Sequence, residues 1–368
     1  MKKLVLMSAL LAAAGVANAQ SSVSLYGRLD TGIRTVDGHK DGRLTTLNPS
    51  ALGGSRWGIE GSEDLGGGTK SSFRLESTVS PDTGAGAAAL FDRQSFISIS
   101  NKDWGTIKLG RDNTFGLDAL FSGVLDTAGL LDAVGSNATQ VTTTGSSSVA
   151  AYHPNPLTTL YSTARGTRRL DNLVKYTNTI NGFSFGAAHA FGEVAGDTQK
   201  SSTQNYSLGY SDNQFSTVTT FQRTQDSTNK KMEIWNIGAK YNFGQFAILA
   251  AHHELKADAG YASSTDSYFG YVLTNATYKG KVEVNNVGLV YSFAPKWTYT
   301  LAYYDVDQKE GVARGKVNSA ITHLQYDLSK RTSLYGIVDY QKAGSGFPTA
   351  TGYKNNQTGF TAGMRHIF

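Results

Sequence analysis

Cysteine is absent from the chain. That excludes a disulfide framework, a thiolate metal site and a cysteine nucleophile, so stability must come from backbone pairing and packing. Proline is scarce, with 6 residues in 368. Past the N-terminus the longest uninterrupted apolar run is about six residues, Phe246 to Ala251, against the roughly 20 that a membrane-spanning helix needs. A helical membrane protein is excluded. Charge is also in short supply: the net value is +5, falling to about +3 without Lys2 and Lys3. Runs of Lys and Arg are pairs such as Arg168-Arg169 and Lys230-Lys231, which read as solvated loop residues and give no nucleic-acid footprint.

Catalytic signatures are missing as well. The seven histidines (His39, His153, His189, His252, His253, His323 and His366) show no metal-ligand spacing, and His252-His253 point to opposite faces of a strand. Gly182-Phe183-Ser184-Phe185-Gly186 spells G-x-S-x-G, but it opens the strand candidate Phe183–Phe191 after a turn rather than forming a strand-to-helix elbow. Gly66-Gly67-Gly68-Thr69-Lys70 lacks phosphate-loop spacing and opens a strand rather than a helix, so it is a turn. Neither an enzyme, nor a cofactor, nor a metal site is expected.

What is present begins with an export leader. Lys2-Lys3, the apolar stretch Leu4 to Val16 and the small residues Ala17-Asn18-Ala19 fit a secretory signal over residues 1–19, with cleavage after Ala19. The chain as a whole is rich in Gly (41), Tyr (19) and Phe (17), and the remaining 20–368 is read as one domain. Its grammar is period two. Val23, Leu25, Gly27 and Leu29 share one strand face, and Ser24, Tyr26, Arg28 and Asp30 the other. Trp57 and Ile59 stand against Arg56 and Glu60, Phe73 and Leu75 against Arg74 and Glu76, and Ile107 and Leu109 against Lys108.

Five such segments end near Gly110, and eleven more follow from Asn172 to Phe368. The first two are expected at Val23–Thr31 and Ser55–Ser62. Short turns such as Ser211-Asp212-Asn213, Gly244 and Ala294-Pro295-Lys296 alternate with long, variable connections. That is the layout of an up-and-down outer-membrane barrel, with aromatic residues such as Tyr291, Phe293, Trp297 and Tyr299 near the short turns. The expected fold is all-β: a 16-stranded antiparallel transmembrane β-barrel, closed so that no edge is left unpaired in lipid. A barrel of that size encloses water.

One stretch, 112–170, does not alternate. Phe115, Leu117, Leu120, Phe121, Leu125, Leu130 and Leu131 make it too apolar to lie in water, and a Ser/Thr/Gly tract from Ser136 to Val149 follows. A loop this long is functional or disordered. It is expected to fold into the lumen as a constriction, its apolar side chains on the wall and Asp118, Asp126 or Asp132 facing the channel. Strand parity places Arg28, Arg56, Arg74, Lys108 and Lys175 inside, with Asp30, Glu60 and Glu76 as acidic members. Rings of charge in a narrow pore set its selectivity, and the basic excess on the first five strands points to mild anion preference.

Several blocks resemble the general porins of β-proteobacteria: Ser22-Val23-Ser24-Leu25-Tyr26-Gly27, Ser55 to Gly68, Phe91-Asp92-Arg93-Gln94-Ser95-Phe96, Trp104 to Arg111, Asn181 to Gly186 and the ending Gly363-Met364-Arg365-His366-Ile367-Phe368. The resemblance covers the chain from Ser22 to its last residue. It implies a trimer of 16-stranded barrels, each with its third long loop in the lumen, passing small hydrophilic solutes passively across the outer membrane. It also implies that the terminal Phe368 is recognised by the barrel-assembly machinery. Outer-membrane lipid and lipopolysaccharide are the expected surroundings. The rival readings are a substrate-specific channel, a soluble β-sandwich binding protein or lectin, and an outer-membrane enzyme.

Overall fold

Period-two alternation becomes a sheet without a free edge. The computed structural model describes residues 22–39, 41–126, 168–261, 279–310, 314–344 and 354–368. The expected leader and its cleavage point, Leu130, Leu131, Asp132 and the Ser/Thr/Gly tract lie outside the described residues. In order, the strands are β1 (Ser22–His39), β2 in two pieces (Gly42–Pro49 and Arg56–Gly66), β3 (Thr69–Ser80), β4 (Gln94–Asn101) and β5 (Gly105–Asn113). A short helix, α1 (Phe115–Phe121), precedes β6 (Arg169–Ile180), β7 (Phe183–Ala190), β8 (Thr203–Ser211), β9 (Phe215–Gln225) and β10 (Lys231–Phe243). The rest are β11 (Phe246–Ala257), β12 (Gly280–Ala294), β13 (Trp297–Glu310), β14 (Gly315–Asp327), β15 (Thr332–Ala343) and β16 (Asn356–Ile367).

Each strand pairs antiparallel with the next, and β16 returns to β1 from Arg28↔Ile367 to Asp37↔Thr358. The last rung is the terminal residue itself: Gly27 and Phe368 exchange both backbone N–H···O bonds at 3.0 Å. This is the closed 16-stranded barrel that the alternation implied. A two-residue ribbon, Ala85–Gly86, pairs only with the end of β3 and adds no stave.

Two strand boundaries differ from expectation. β1 does not end near Thr31 but runs on to His39, and Gly42–Pro49 pairs with its far half, Ile33 opposite Leu47. The near half of β1 pairs instead with Arg56–Gly66. Between the two pieces of β2, Ser50 adopts φ 71° and the chain turns inward, where the Leu52 N–H donates to Asp30 Oδ1 at 3.1 Å. Ala51 and Leu52 are buried there. The break hides the strand because Asn48-Pro49-Ser50 and Gly53-Gly54 read locally as turn residues.

The faces are inverted relative to a soluble protein. On β1, Leu25 is 64% exposed while Asp30 is 0% exposed and Arg34 2%. Apolar side chains of Ile97, Leu109, Leu208, Ile237, Val287 and Leu301 likewise look outward. A sandwich in water buries such a face, whereas a barrel in lipid presents it. Near the short turns the outer face carries a run of rings: Phe243 on Phe246 (5.5 Å), Phe246 on Tyr291 (4.3 Å), Tyr291 by Phe293 (5.6 Å), Phe293 by Trp297 (6.1 Å) and Trp297 by Tyr326 (4.6 Å). Amphipathic rings concentrate where hydrocarbon gives way to headgroups. No helix among the described residues is long and apolar enough to cross a membrane; the strands do the crossing.

The short turns are fixed locally. In the one between β8 and β9, the N–H groups of Gln214 and Phe215 donate to Asp212 Oδ1 at 2.8 and 2.7 Å. Those bonds hold the Asp212 carboxyl below the ordinary carboxylate range.

Candidate functional site

Residues 115–126, the described part of the non-alternating stretch that follows β5, are pinned to the inner face of the barrel wall. Thr114 caps α1, its hydroxyl accepting from the Leu117 N–H at 3.2 Å. Gly123, at φ 74°, follows the helix in a backbone conformation that suits glycine. The helix is seven residues long, too short to persist without tertiary packing, and the wall supplies that packing. Phe115 N–H donates to Asn205 Oδ1 on β8 at 2.7 Å. The Phe115 ring fills the space left by the missing Cβ of Gly186 on β7.

Beyond the helix, a Cβ on Gly238 of β10 would lie 2.7 Å from the Val124 carbonyl oxygen and 2.8 Å from Leu125 Cδ2. Asn286 on β12 donates to the Leu125 carbonyl at 3.2 Å, and Tyr304 on β13 donates to Asp126 Oδ1 at 2.6 Å. The buried His253 ring on β11 joins Asn236 (2.8 Å) to Asn286 (3.0 Å). Residues 115–126 therefore touch inward positions from β7 to β13, as a chord across the inside of the barrel does. Tyr304→Phe removes a hydrogen bond to a buried carboxylate and should cost about 1.5–3 kcal/mol, read as a lower urea midpoint.

The charged residues form three connected groups. In the first, Glu76 is buried and takes Arg93 Nε at 2.6 Å, Arg56 Nε at 3.3 Å and the Tyr26 hydroxyl at 3.0 Å. In the second, Arg74 grips Glu60 Oε2 through Nε (3.0 Å) and Nη2 (2.6 Å), and its guanidinium lies 5.3 Å from the Tyr26 ring centre. Arg74 also reaches Gln94, which in turn donates to Asp112.

The third group surrounds Lys175, which is 2% exposed. Its ammonium donates to Asp118 Oδ2 (2.6 Å), the Asn113 carbonyl (2.9 Å) and Asp112 Oδ2 (3.3 Å), and stands 4.7 Å from the Phe115 ring centre. Lys108 adds a bond to Asp112 Oδ2 at 3.1 Å. The start of α1 is thus tied to β5 and β6 by charge and to β7 and β8 by packing.

Arg28 lies on the inward bulge, donating to the Gly54 carbonyl through Nε and Nη2 at 3.2 and 3.0 Å. Of the acidic residues expected to face the channel, Asp118 is 44% exposed but bonded to Lys175. Asp126 is 1% exposed, turned into the wall beneath Tyr304. Its expected channel-facing position is corrected on this point: the buried Tyr304 hydroxyl holds the carboxylate against the wall together with the apolar side chains. Asp132 lies outside the described residues. Phe368 is in the seam, its ring over Gly27 on the outer face.

Sequence reasoning missed several members of this wall. Lys240 on β10 lies beside Gly123, and Arg365 on β16 donates to Gln325 at 3.2 Å. Among the described residues neither makes an ion pair. Asp112, Asn205, Asn286 and Tyr304 were also missed, although Asn286 and Tyr304 occupy inward positions by parity. Gly186 and Gly238 carry a usable clue: glycine on the inward face of a strand marks close approach by something else.

No group of three or more metal-ligating side chains exists among the described residues. The lumen wall offers charged and hydrogen-bonding surface.

Comparison with known proteins agrees with this architecture. A family model described as Gram-negative porin matches residues 7–346. An outer membrane porin protein of Bordetella pertussis is 28% identical, with both chains covered in full. Outer membrane porin protein 32 of Delftia acidovorans is 30% identical, again over the full length of both. Among solved structures, an anion-selective porin from Comamonas acidovorans superposes with a TM-score of 0.73 at 23% identity, covering 95% of this chain and 100% of that one.

Proposed function

Because this chain belongs to the Gram-negative porin family, an outer-membrane channel for passive diffusion, we propose that its lumen favours anions among the small hydrophilic solutes it passes. The observation that carries the preference is how the wall charges are layered. The carboxylates of Glu76, Asp112 and Asp126 are buried, 6%, 2% and 1% exposed. Arg56, Arg74 and Lys108 are 27%, 38% and 27% exposed. Lys240 adds positive charge that no ion pair among the described residues offsets, and Arg365 adds more, opposite Asp30 across the seam but not in an ion pair with it. Water in the pore therefore meets Arg56, Arg74 and Lys108 in front of those three carboxylates, while the exposed acids Glu60 and Asp118 are each held by a cation, and a passing anion is the counter-ion that the remaining positive excess attracts. The likeness to a porin titled anion-selective supports the same sign.

Stretch 112–170 is proposed as the constriction, on the strength of the anchors from Phe115 to Asp126. A homotrimer is supported by the uneven outer surface. The aromatic run occupies β10 to β14, whereas β15, β16 and β1 to β5 present mainly aliphatic groups such as Leu334, Met364, Leu25, Ile97, Ile107 and Leu109. A face that is mostly aliphatic, with only scattered rings such as Phe73, Tyr340 and Phe360, suits contact with another subunit better than a lipid interface. Outward-facing Lys256, Lys281 and Lys309, interleaved with Glu254 and Glu283, suit the phosphates and bridging cations of lipopolysaccharide. Phe368, a C-terminal aromatic in the closing rung, is the residue proposed for recognition by the assembly machinery.

Liposomes carrying the protein should swell in small sugars and amino acids, at rates that fall smoothly with solute size. Saturable uptake of a single solute would favour a substrate-specific channel instead.

A further inference from the structure

β16 is held from both sides by its backbone ladders, yet the strongest side-chain contacts at the seam pass over it. On the lumen side, Arg34 of β1 reaches across β16 to Asp339 of β15. Its Nη1 donates to Asp339 Oδ2 at 2.6 Å and its Nη2 to Asp339 Oδ1 at 3.0 Å, with a further bond from Nη1 to Thr361 Oγ1 at 3.0 Å. The pair is 2% and 1% exposed. One turn-ward step along the seam, the Tyr335 hydroxyl of β15 reaches back over β16 to Asp30 Oδ1 of β1 at 2.5 Å.

Both crossings pass over glycine. A Cβ on Gly359 would collide with Arg34 Nη2 and with Asp339 Oδ2, and one on Gly363 would collide with the Tyr335 hydroxyl. Each glycine pairs directly with the β15 partner, Gly359 with Asp339 and Gly363 with Tyr335, while the β1 partners sit two residues along, Arg34 opposite Thr361 and Asp30 opposite Arg365, so the crossings run diagonally over the glycines. Any side chain at either position would stand where a crossing runs.

We propose that Arg34–Asp339 and Asp30–Tyr335 form a two-rung clasp that locks the barrel where its first and last strands meet, and that Gly359 and Gly363 are the openings through which it closes. The clasp requires β1 to be in place, because both rungs draw on β1 and β15 at once. It therefore forms only when the barrel closes, and it opposes reopening of the one seam that joins residues more than 300 positions apart. A bidentate Arg–carboxylate pair out of water is strong once made, and removing one partner leaves the other buried and uncompensated.

The test uses the full-length protein in detergent and reads amide hydrogen exchange strand by strand, together with the temperature at which the folded gel band is lost. Gly359→Ala keeps every charge and blocks the upper rung. Asp339→Asn keeps the shape and removes the charge. Gly336→Ala on β15 is the control, since its added methyl meets no atom nearer than 4.0 Å.

Both clasp variants should raise exchange in β1 and β16 by about tenfold or more, with β10 and β11 unchanged and the folded band lost at lower temperature. Combining them should add little beyond either alone, because they break one rung. Exchange that stays unchanged at the seam, or that rises equally in β10 and β11, overturns the clasp. If Gly359→Ala does not fold, the Asp339→Asn exchange pattern decides alone.

Discussion

Lys175→Met should loosen the start of the lumen segment and destabilise the barrel by about 3–5 kcal/mol. The lysine is the only cation within 4 Å of Asp118 among the described residues, and it shares Asp112 with Lys108. Methionine keeps most of the volume and removes the charge, leaving Asp112 and Asp118 close together without the ammonium between them. Two like charges so placed repel, and the cheaper response is for α1 to leave the wall. That would draw Phe115 from the space over Gly186 and weaken the Asn205 contact.

In single-channel records the variant should show noisier open levels and unitary conductance raised by roughly half or more, as a segment narrowing the lumen gives way. Asp118→Asn in the same background should recover part of the loss by removing the repulsion. Unchanged noise and conductance would mean that the charge cluster holds nothing that narrows the pore.

The second large effect concerns selectivity. Replacing Arg56, Arg74 and Lys108 by Gln, Gln and Met should move the zero-current potential in a salt gradient by roughly 20 mV or more toward the cation side. Glu60 and Glu76 remain, and Glu60, 40% exposed, then faces the water without its guanidinium. Arg74 should dominate the sum because it is the most exposed of the three. Arg56→Gln alone should do less, since Arg93 still neutralises Glu76 at 2.6 Å. The shift should shrink at high ionic strength, as expected for charges acting across water. An unchanged potential in the triple variant would remove these three residues from the selectivity argument.

Much of the fold was legible because strand faces obey a rigid rule. Val23-Ser24-Leu25-Tyr26 alternates, and the side that carries Leu25 proved to be the outer one because aromatic residues gather near Tyr291 and Trp297 at the short turns. The same rule placed Arg56, Arg74 and Lys108 on the wall. It failed where the chain stops being a regular strand. The break at Ser50 concealed the outer piece of β2, because a backbone excursion inward looks in sequence like an ordinary loop. The burial of Asp126 could not be read either: it depends on Tyr304, some 178 residues away, and no local pattern encodes that meeting. The clasp was hidden for the same reason. Gly359 and Gly363 look like weak strand residues until Arg34 and Tyr335 are seen to pass over them.

The most direct test is the conductance of purified protein in a planar bilayer, with the zero-current potential taken across a potassium chloride gradient. Large unitary steps in groups of three, with a potential whose sign shows chloride moving more readily than potassium, are the expected result. Folded protein that gives no steps would contradict the channel itself, and steps with a potassium-selective potential would contradict the charge layering of its wall.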